Sequence, residues 1–180
     1  MTDTETYIRS HIERVRKKLN VLIDVLMKRA IRHDKSKLEE PEFSLWKKMD
    51  MEPRYPYGSE EYKEKIKRYS NLFNMHYEKN PHHPEYFPNG IQDMTLVDLM
   101  EMMCDWISYK DNIRVTEAVE IVEKQSNRFG YSDEIKNLLI NTLIYYFAYM
   151  SDEKPPAQQD ELKEKKLYEK NESHIIDFYI

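Results

Sequence analysis

Three short segments hold nearly all the side chains able to bind a metal ion or move a proton. The first is His33-Asp34-Lys35-Ser36-Lys37. The second is His76 with His82-His83-Pro84-Glu85. The third is the row Asp98, Glu101 and Asp105. Adjacent His and Asp can offer an imidazole nitrogen and a carboxylate oxygen to one divalent ion. Such mixed ligands suit Mn, Fe, Co, Ni or Zn, and Mg where carboxylates and water dominate. Pro81 and Pro84 predict an extended stretch in which His82 and His83 point to opposite sides, one toward an ion and the other toward a substrate or a second ion. At about 100° per residue, Asp98, Glu101 and Asp105 share a helix face within roughly 60°. Met100, Met103, Cys104 and Ile107 lie opposite as an apolar anchor. Taken singly, each feature has an ordinary reading. His-Asp pairs are common, acidic rows usually face solvent, and proline-bracketed histidines usually sit in surface loops. Convergence argues for a site: five of the six histidines lie between His11 and His83, in the half that also carries the His-Asp pair and the acidic row.

Helices must position these residues. Ile8, Ile12, Val15, Leu19, Leu22 and Leu26 recur at steps of four and three, which predicts one uninterrupted amphipathic helix over 3–32 with that stripe facing inward. Pro41 stands near the start of a second helix carrying Phe43, Leu45, Trp46 and Met49. Residues 50–58 are turn-rich. A helix is predicted over 59–79 with Tyr62, Ile66, Tyr69, Leu72, Phe73 and Met75 inward. Residues 80–93, with three prolines and a glycine, cannot form an α-helix. Helix resumes at Thr95 and runs to about Lys110. Another spans 114–128 and ends before Gly130, and Ser132 caps a last one over 133–150. The run Tyr145-Tyr146-Phe147-Ala148-Tyr149 reads as helix buried on several sides, with a homo-oligomer contact as a second reading. Met49, Met75, Met100, Met102 and Met103 read as core filler. Residues 151–160 read as a linker, 161–171 as a polar helix, and the final HIIDFYI as an apolar tail. The domain division expected is 1–150 and 151–180.

Composition narrows the function classes. Only three glycines in 180 residues argue against a fold rich in hairpin turns and for an all-α fold. A single cysteine, Cys104, excludes an internal disulfide and any CxxC zinc or redox site, and fits a reducing compartment. The charged N-terminus is no secretory signal. No apolar run reaches the ~18 residues of a membrane span, so a soluble, cytoplasmic protein is expected. A net charge of −5 argues against nucleic acid as a partner, although Arg14-Val15-Arg16-Lys17-Lys18 is locally basic.

The order of these residues resembles the HD-domain metal-dependent phosphohydrolase superfamily, whose ligands run His, His-Asp, then Asp. Here that order implies His11, then His33-Asp34, then His76, His82 and His83, then Asp105 as metal ligands for one or two divalent ions. HDKSK is similar to the HDxxK form of cyclic-dinucleotide phosphodiesterases in that superfamily. More closely, HDKSKLEEPEF, HYEKNPHHPEYF and MTLVDLMEMMCDW resemble a phage and bacterial family of uncharacterised HD-like proteins. The likeness covers about the first 110 residues. It implies an HD-domain-like helical bundle with a C-terminal helical extension. His11 and His33 lie 22 residues apart, roughly 33 Å along a continuous helix. Either that helix breaks, near Lys18–Asn20, or His11 is not a ligand.

The resemblance implies hydrolysis of a phosphoester in a nucleotide or cyclic nucleotide, with a metal ion acidifying water and polarising a phosphoryl oxygen. Lys37 would neutralise phosphate charge. Glu101, or Glu85 from the loop, would orient the water or a ligand histidine. Arg32, Lys35 and Tyr86 are further candidate substrate contacts. Lys37 stands where several nucleotidases of the superfamily have an acid. The competing reading is a non-catalytic helical module that binds a metal or a protein partner.

Overall fold

A computed structural model of the chain describes residues 2–151; the linker, polar helix and tail read from the sequence lie outside the described residues. Helices and short 3-10 turns make up the regular structure, with no strand among the described residues, so the fold is all-α. No helix among them is long and apolar enough to cross a membrane. The chain divides after Tyr109 into two compact units. That boundary falls inside the 1–150 stretch expected to form one domain.

The first unit holds five α-helices. Helix α1 (Asp3–Arg32) begins where the Thr2 hydroxyl accepts from the Glu5 N–H at 3.2 Å, with Asp3 and Glu5 in the positive first turn. It runs without a break to Arg32, as its periodicity predicts. Its burial differs from the expectation. Ile8, Ile12, Val15, Leu19 and Leu22 are exposed, and no residue of α1 is buried. Toward its C-terminal end the helix meets α5 (Leu96–Ile107), where Arg29 and His33 reach the acidic residues of that helix.

Helix α1 stops at His33, whose N–H still donates to the Arg29 carbonyl at 2.8 Å. Asp34 then turns the chain in the left-handed conformation at φ +55°, the one non-glycine residue among those described with positive φ. Aspartate tolerates this region better than most residues, and an outlier here is the kind of backbone feature found at functional sites. A 3-10 turn, Lys35–Leu38, leads to α2 (Glu42–Asp50).

The helix expected over 59–79 is two: α3 (Glu60–Arg68) and α4 (Ser70–Tyr77), hinged at Tyr69 with φ −98° and ψ 17°. Tertiary ties explain the break. The Tyr69 hydroxyl and Arg68 both donate to the Glu52 carboxylate, each at 2.7 Å, and Lys65 donates to the Pro53 carbonyl at 3.2 Å. The turn-rich 50–58 segment is thereby fastened to the end of α3. Residues 80–93 form no α-helix, as expected, but two 3-10 turns, Pro84–Tyr86 and Gly90–Asp93. Helix α5 opens with a capping box, in which Thr95 and Asp98 satisfy each other's backbone N–H groups. Leu99, Met102, Met103 and Ile107 anchor it in the core, whereas Cys104, expected among them, is exposed.

The second unit, as described, is a hairpin of α6 (Val115–Phe129) and α7 (Asp133–Met150). Gly130 ends α6 in the left-handed conformation at φ +63°, and Ser132 caps α7. Ala118, Val122, Tyr131, Leu139 and Leu143 form its buried seam. The Tyr145–Tyr149 run is not buried on several sides: Tyr145, Tyr146 and Tyr149 are exposed, whereas Leu139 and Leu143 are the buried positions of α7.

Candidate metal centre

Four segments converge at the C-terminal end of α1. The end of α1 supplies Arg29, His33 and Asp34. Helix α4 supplies His76, the loop after it His82 and His83, and α5 Glu101 and Asp105. Within this cluster two sets of ligand atoms lie within 4.8 Å of one another: Asp34, His76, His82 and His83, and His33, Asp34, His82 and Asp105. Asp34 and His82 belong to both.

The histidines are aimed by carboxylates behind them. His33 Nδ1 lies 2.9 Å and His82 Nδ1 3.2 Å from the same oxygen, Glu101 Oε1. His76 Nδ1 lies 2.7 Å from Glu42 Oε1. Carboxylate acceptors there put a proton on Nδ1 of all three rings, which turns each Nε2 toward the middle of the cluster. His76 Nε2 is 3.2 Å and His82 Nε2 3.5 Å from Asp34 Oδ1. His33 Nε2 is 3.4 Å from Asp105 Oδ1, and His83 Nε2 is 3.0 Å from His76 Nε2. Two buried atoms in this space, Asp34 Oδ1 and His82 Nε2, have no hydrogen-bond partner. Unpaired polar atoms deep in a fold are costly, and a cation among them would satisfy both.

Electrostatics favours the same occupant. Burial pushes Asp34 up, but the nearby His76, the Lys37 ammonium that donates to Oδ2, and His33 outweigh it and hold the carboxyl below its usual range. Burial likewise opposes Glu101, and His33, His82 and Arg29 together bring it down. Asp105 is lowered by His33 against the cost of its burial. Hydrogen bonds to Asp105 and Glu101 raise His33 to about 10 despite its burial. Its Nε2 thus carries a proton at the position where a cation would bind. Burial, with His82 and His76 close by, lowers His83 to about 3, which keeps a lone pair free for coordination. These residues fit a divalent ion held by nitrogen and oxygen; their chemistry does not single out which ion.

The acidic row on α5 is divided by role. Asp98 is buried, caps α5, and pairs with Arg29 at 2.8 Å. Arg29 also donates to Glu101. One arginine thus pins the acidic face of α5 to the end of α1, and only Asp105 carries its carboxylate into a ligand set. The expectation that His82 and His83 point to opposite sides does not hold. The Asn80–His83 turn, closed by His83 N–H donating to the Asn80 carbonyl at 3.1 Å, brings both rings to one side, with centroids 4.1 Å apart. His11 is not a ligand: it is exposed on an unbroken α1, and 22 residues of helix separate it from His33. At 1.5 Å per residue that is roughly 33 Å.

Lys37 donates to Asp34 Oδ2 at 2.5 Å and lies over the Trp46 ring, 5.1 Å from its centroid. Arg32, Lys35, Glu85 and Tyr86 are exposed and outside both ligand sets. Sequence reasoning missed Arg29, Ser36, Glu42 and Asn80. Arg29 has a local signal, since it stands one turn before His33 on the same face. Glu42 has none, because an acid in the first turn of a helix is ordinary.

An all-helical chain with two overlapping His/Asp ligand sets is the class that fold and site define. The chain belongs to DUF5662, a family of unknown function, whose model matches residues 1–145. No curated protein and no solved structure matches it.

Proposed function

We propose that this protein is a divalent-metal-dependent phosphohydrolase of HD type acting in the cytoplasm on a nucleotide or cyclic nucleotide. The observation that carries the reading is the convergence of four histidines and two carboxylates around the unpartnered Asp34 Oδ1 and His82 Nε2. The phosphoester substrate is carried by the likeness of HDKSK, and of the His, His-Asp, Asp order, to the HD superfamily. The ion, once bound, would acidify water and neutralise phosphoryl charge.

The remaining roles belong to the chain. His33, Asp34, His82 and Asp105 would hold one ion, with His76 and His83 completing a second position through the shared Asp34 and His82. Glu101 already accepts from His33 and His82 and is bound by Arg29. Its part is to aim two ligand histidines, and no free lone pair on Oε1 is left to take a proton from water. Lys37, half-buried beside Asp34, is the cation placed to meet a phosphate. Arg32 and Lys35 flank the His33-Asp34 pair in the chain and would add positive charge for a nucleotide.

The test is metal content of the purified protein, then phosphate release from a nucleotide and cyclic-dinucleotide panel with Mn, Co, Ni, Zn and Mg. Loss of both in Asp105→Ala supports the reading. Protein that takes up no ion and stays inert with each of them overturns it. A second reading, a non-catalytic metal-binding interaction module, is favoured by the exposed Ile8, Ile12, Val15, Leu19 and Leu22 on α1. Metal uptake without turnover of any phosphoester would select it.

A further inference from the structure

Glu42 takes no part in either ligand set, yet it is the most completely enclosed carboxylate among the described residues, 0 % exposed. Burying a carboxylate is costly unless partners compensate it. Its close partners are Trp46 Nε1, which donates to Oε1 at 3.1 Å, His76 Nδ1 at 2.7 Å from the same oxygen, and the Ser36 side chain. Lys79 Nζ stays 4.0 Å from Oε2, which has no hydrogen bond. An apolar residue would pack α2 against α4 with less cost, so packing alone does not account for an acid here. What the acid does is define one histidine. Asn80 Nδ2 lies 3.1 Å from His76 Nδ1, but its two hydrogens go to the His76 carbonyl at 2.7 Å and to Ser36 Oγ at 2.9 Å, which ties the turn after α4 to the turn after α1 and leaves the Nδ1 proton to Glu42.

We infer that Glu42 is a positioning residue that holds His76 in the Nδ1–H tautomer with Nε2 facing Asp34 and His83, and that it governs the His76–His83 half of the cluster separately from the His33–Asp105 half. This rests on the metal reading above. Glu101 is the counterpart for the other half, since it holds His33 and His82 but does not bond to His76. Carboxylates behind ligand histidines fix the ring and raise its basicity, and removing one typically costs about 10–100-fold in metal affinity. Glu42 acts on His76 alone, so that cost should fall on one half only.

The experiment is nitrogen NMR of the full chain carrying labelled histidine, titrated with Zn(II). In the wild-type protein the His76 signals should report Nδ1–H and an unprotonated Nε2 before any ion is added. Zn(II) should then move both the His76 and the His33 signals. In Glu42→Gln, the Zn(II) concentration needed to move His76 should rise about 10–100-fold, while that for His33 stays as in the wild type. Equal sensitivity of His76 in variant and wild type overturns the inference, and so does an equal loss at both histidines. An Nε2–H tautomer in the wild type overturns it without any variant, should Glu42→Gln fail to fold. Wild-type protein in which Zn(II) moves neither histidine overturns the metal reading itself, a result distinct from the others.

Discussion

The two units bury different things. In the α6–α7 hairpin the enclosed residues are Ala118, Val122, Tyr131, Leu139 and Leu143, and the one buried polar group named there, the Tyr131 hydroxyl, donates to the Val122 carbonyl at 2.5 Å. In the first unit, Leu72, Leu99, Met102 and Met103 share the interior with Ser36, Glu42, Lys65, His76, Asn80, His82 and Asp98. Every buried polar or charged residue among those described lies in that unit. Apolar burial stabilises at roughly 25 cal/mol per Å², whereas buried polar groups contribute only when fully paired. A fold that needed only stability would resemble the hairpin. The polar interior of the first unit, with Asp34 Oδ1, Glu42 Oε2 and His82 Nε2 among the buried atoms left without a hydrogen bond, is the mark of a site built at the expense of packing.

This contrast can be broken by experiment. The largest effect is expected from Asp34→Asn, which keeps a residue tolerant of positive φ but removes the charge common to both ligand sets. Metal measured by elemental analysis should fall to background, and metal retained at wild-type stoichiometry would show that the cluster is not the ligand set. Next is Glu101→Gln. Zn(II) affinity at His33 should drop about 10–100-fold, read from the His33 nitrogen signals, and an unchanged affinity would remove Glu101 from its positioning role.

Leu143→Ala tests the other side of the comparison. Leu143 is fully buried, so the cavity should cost about 2–5 kcal/mol of stability in urea unfolding. Zn(II) uptake by the folded protein should not change; weakened uptake would mean that the hairpin contributes to the site. The smallest effect concerns acid. Glu117 accepts from Lys110 and from the Arg114 backbone, which lowers its carboxyl from 4.5 to about 2. A lowered folded pKa stabilises above the unfolded value and is lost as pH falls through the folded one. The hairpin should therefore lose stability between pH 4.5 and about 2, and Glu117→Gln should flatten that part of the curve. An identical pH profile in the variant would remove this contribution.

The helices themselves were legible because their signals are local. Steps of three and four in apolar residues, Gly130, and the caps Thr95 and Ser132 act within a turn or two of chain, and the helices begin and end close to them. The hinge at Tyr69 was not legible, because it depends on Glu52 reaching Tyr69 and Arg68 from another segment. The exposed stripe of α1 misled for the same reason: periodicity predicts which residues share a face, not what covers it.

By itself, the sequence determined an all-helical chain and singled out His11, His33, Asp34, Lys37, His76, His82, His83, Glu85, Asp98, Glu101 and Asp105, with Arg32, Lys35 and Tyr86 as further contacts, as the residues able to do chemistry. Residue type and spacing suffice for that, because helix formation and ligand capacity are properties of short segments. Tertiary structure alone decided which of them meet. It excluded His11, turned His82 and His83 to one side, made Asp98 a helix cap, and brought in Arg29 and Glu42. The Glu101–His33 contact spans 68 residues of chain and the Glu42–His76 contact 34. Contacts at that range depend on how α1, α2, α4 and α5 pack, and no local pattern encodes it.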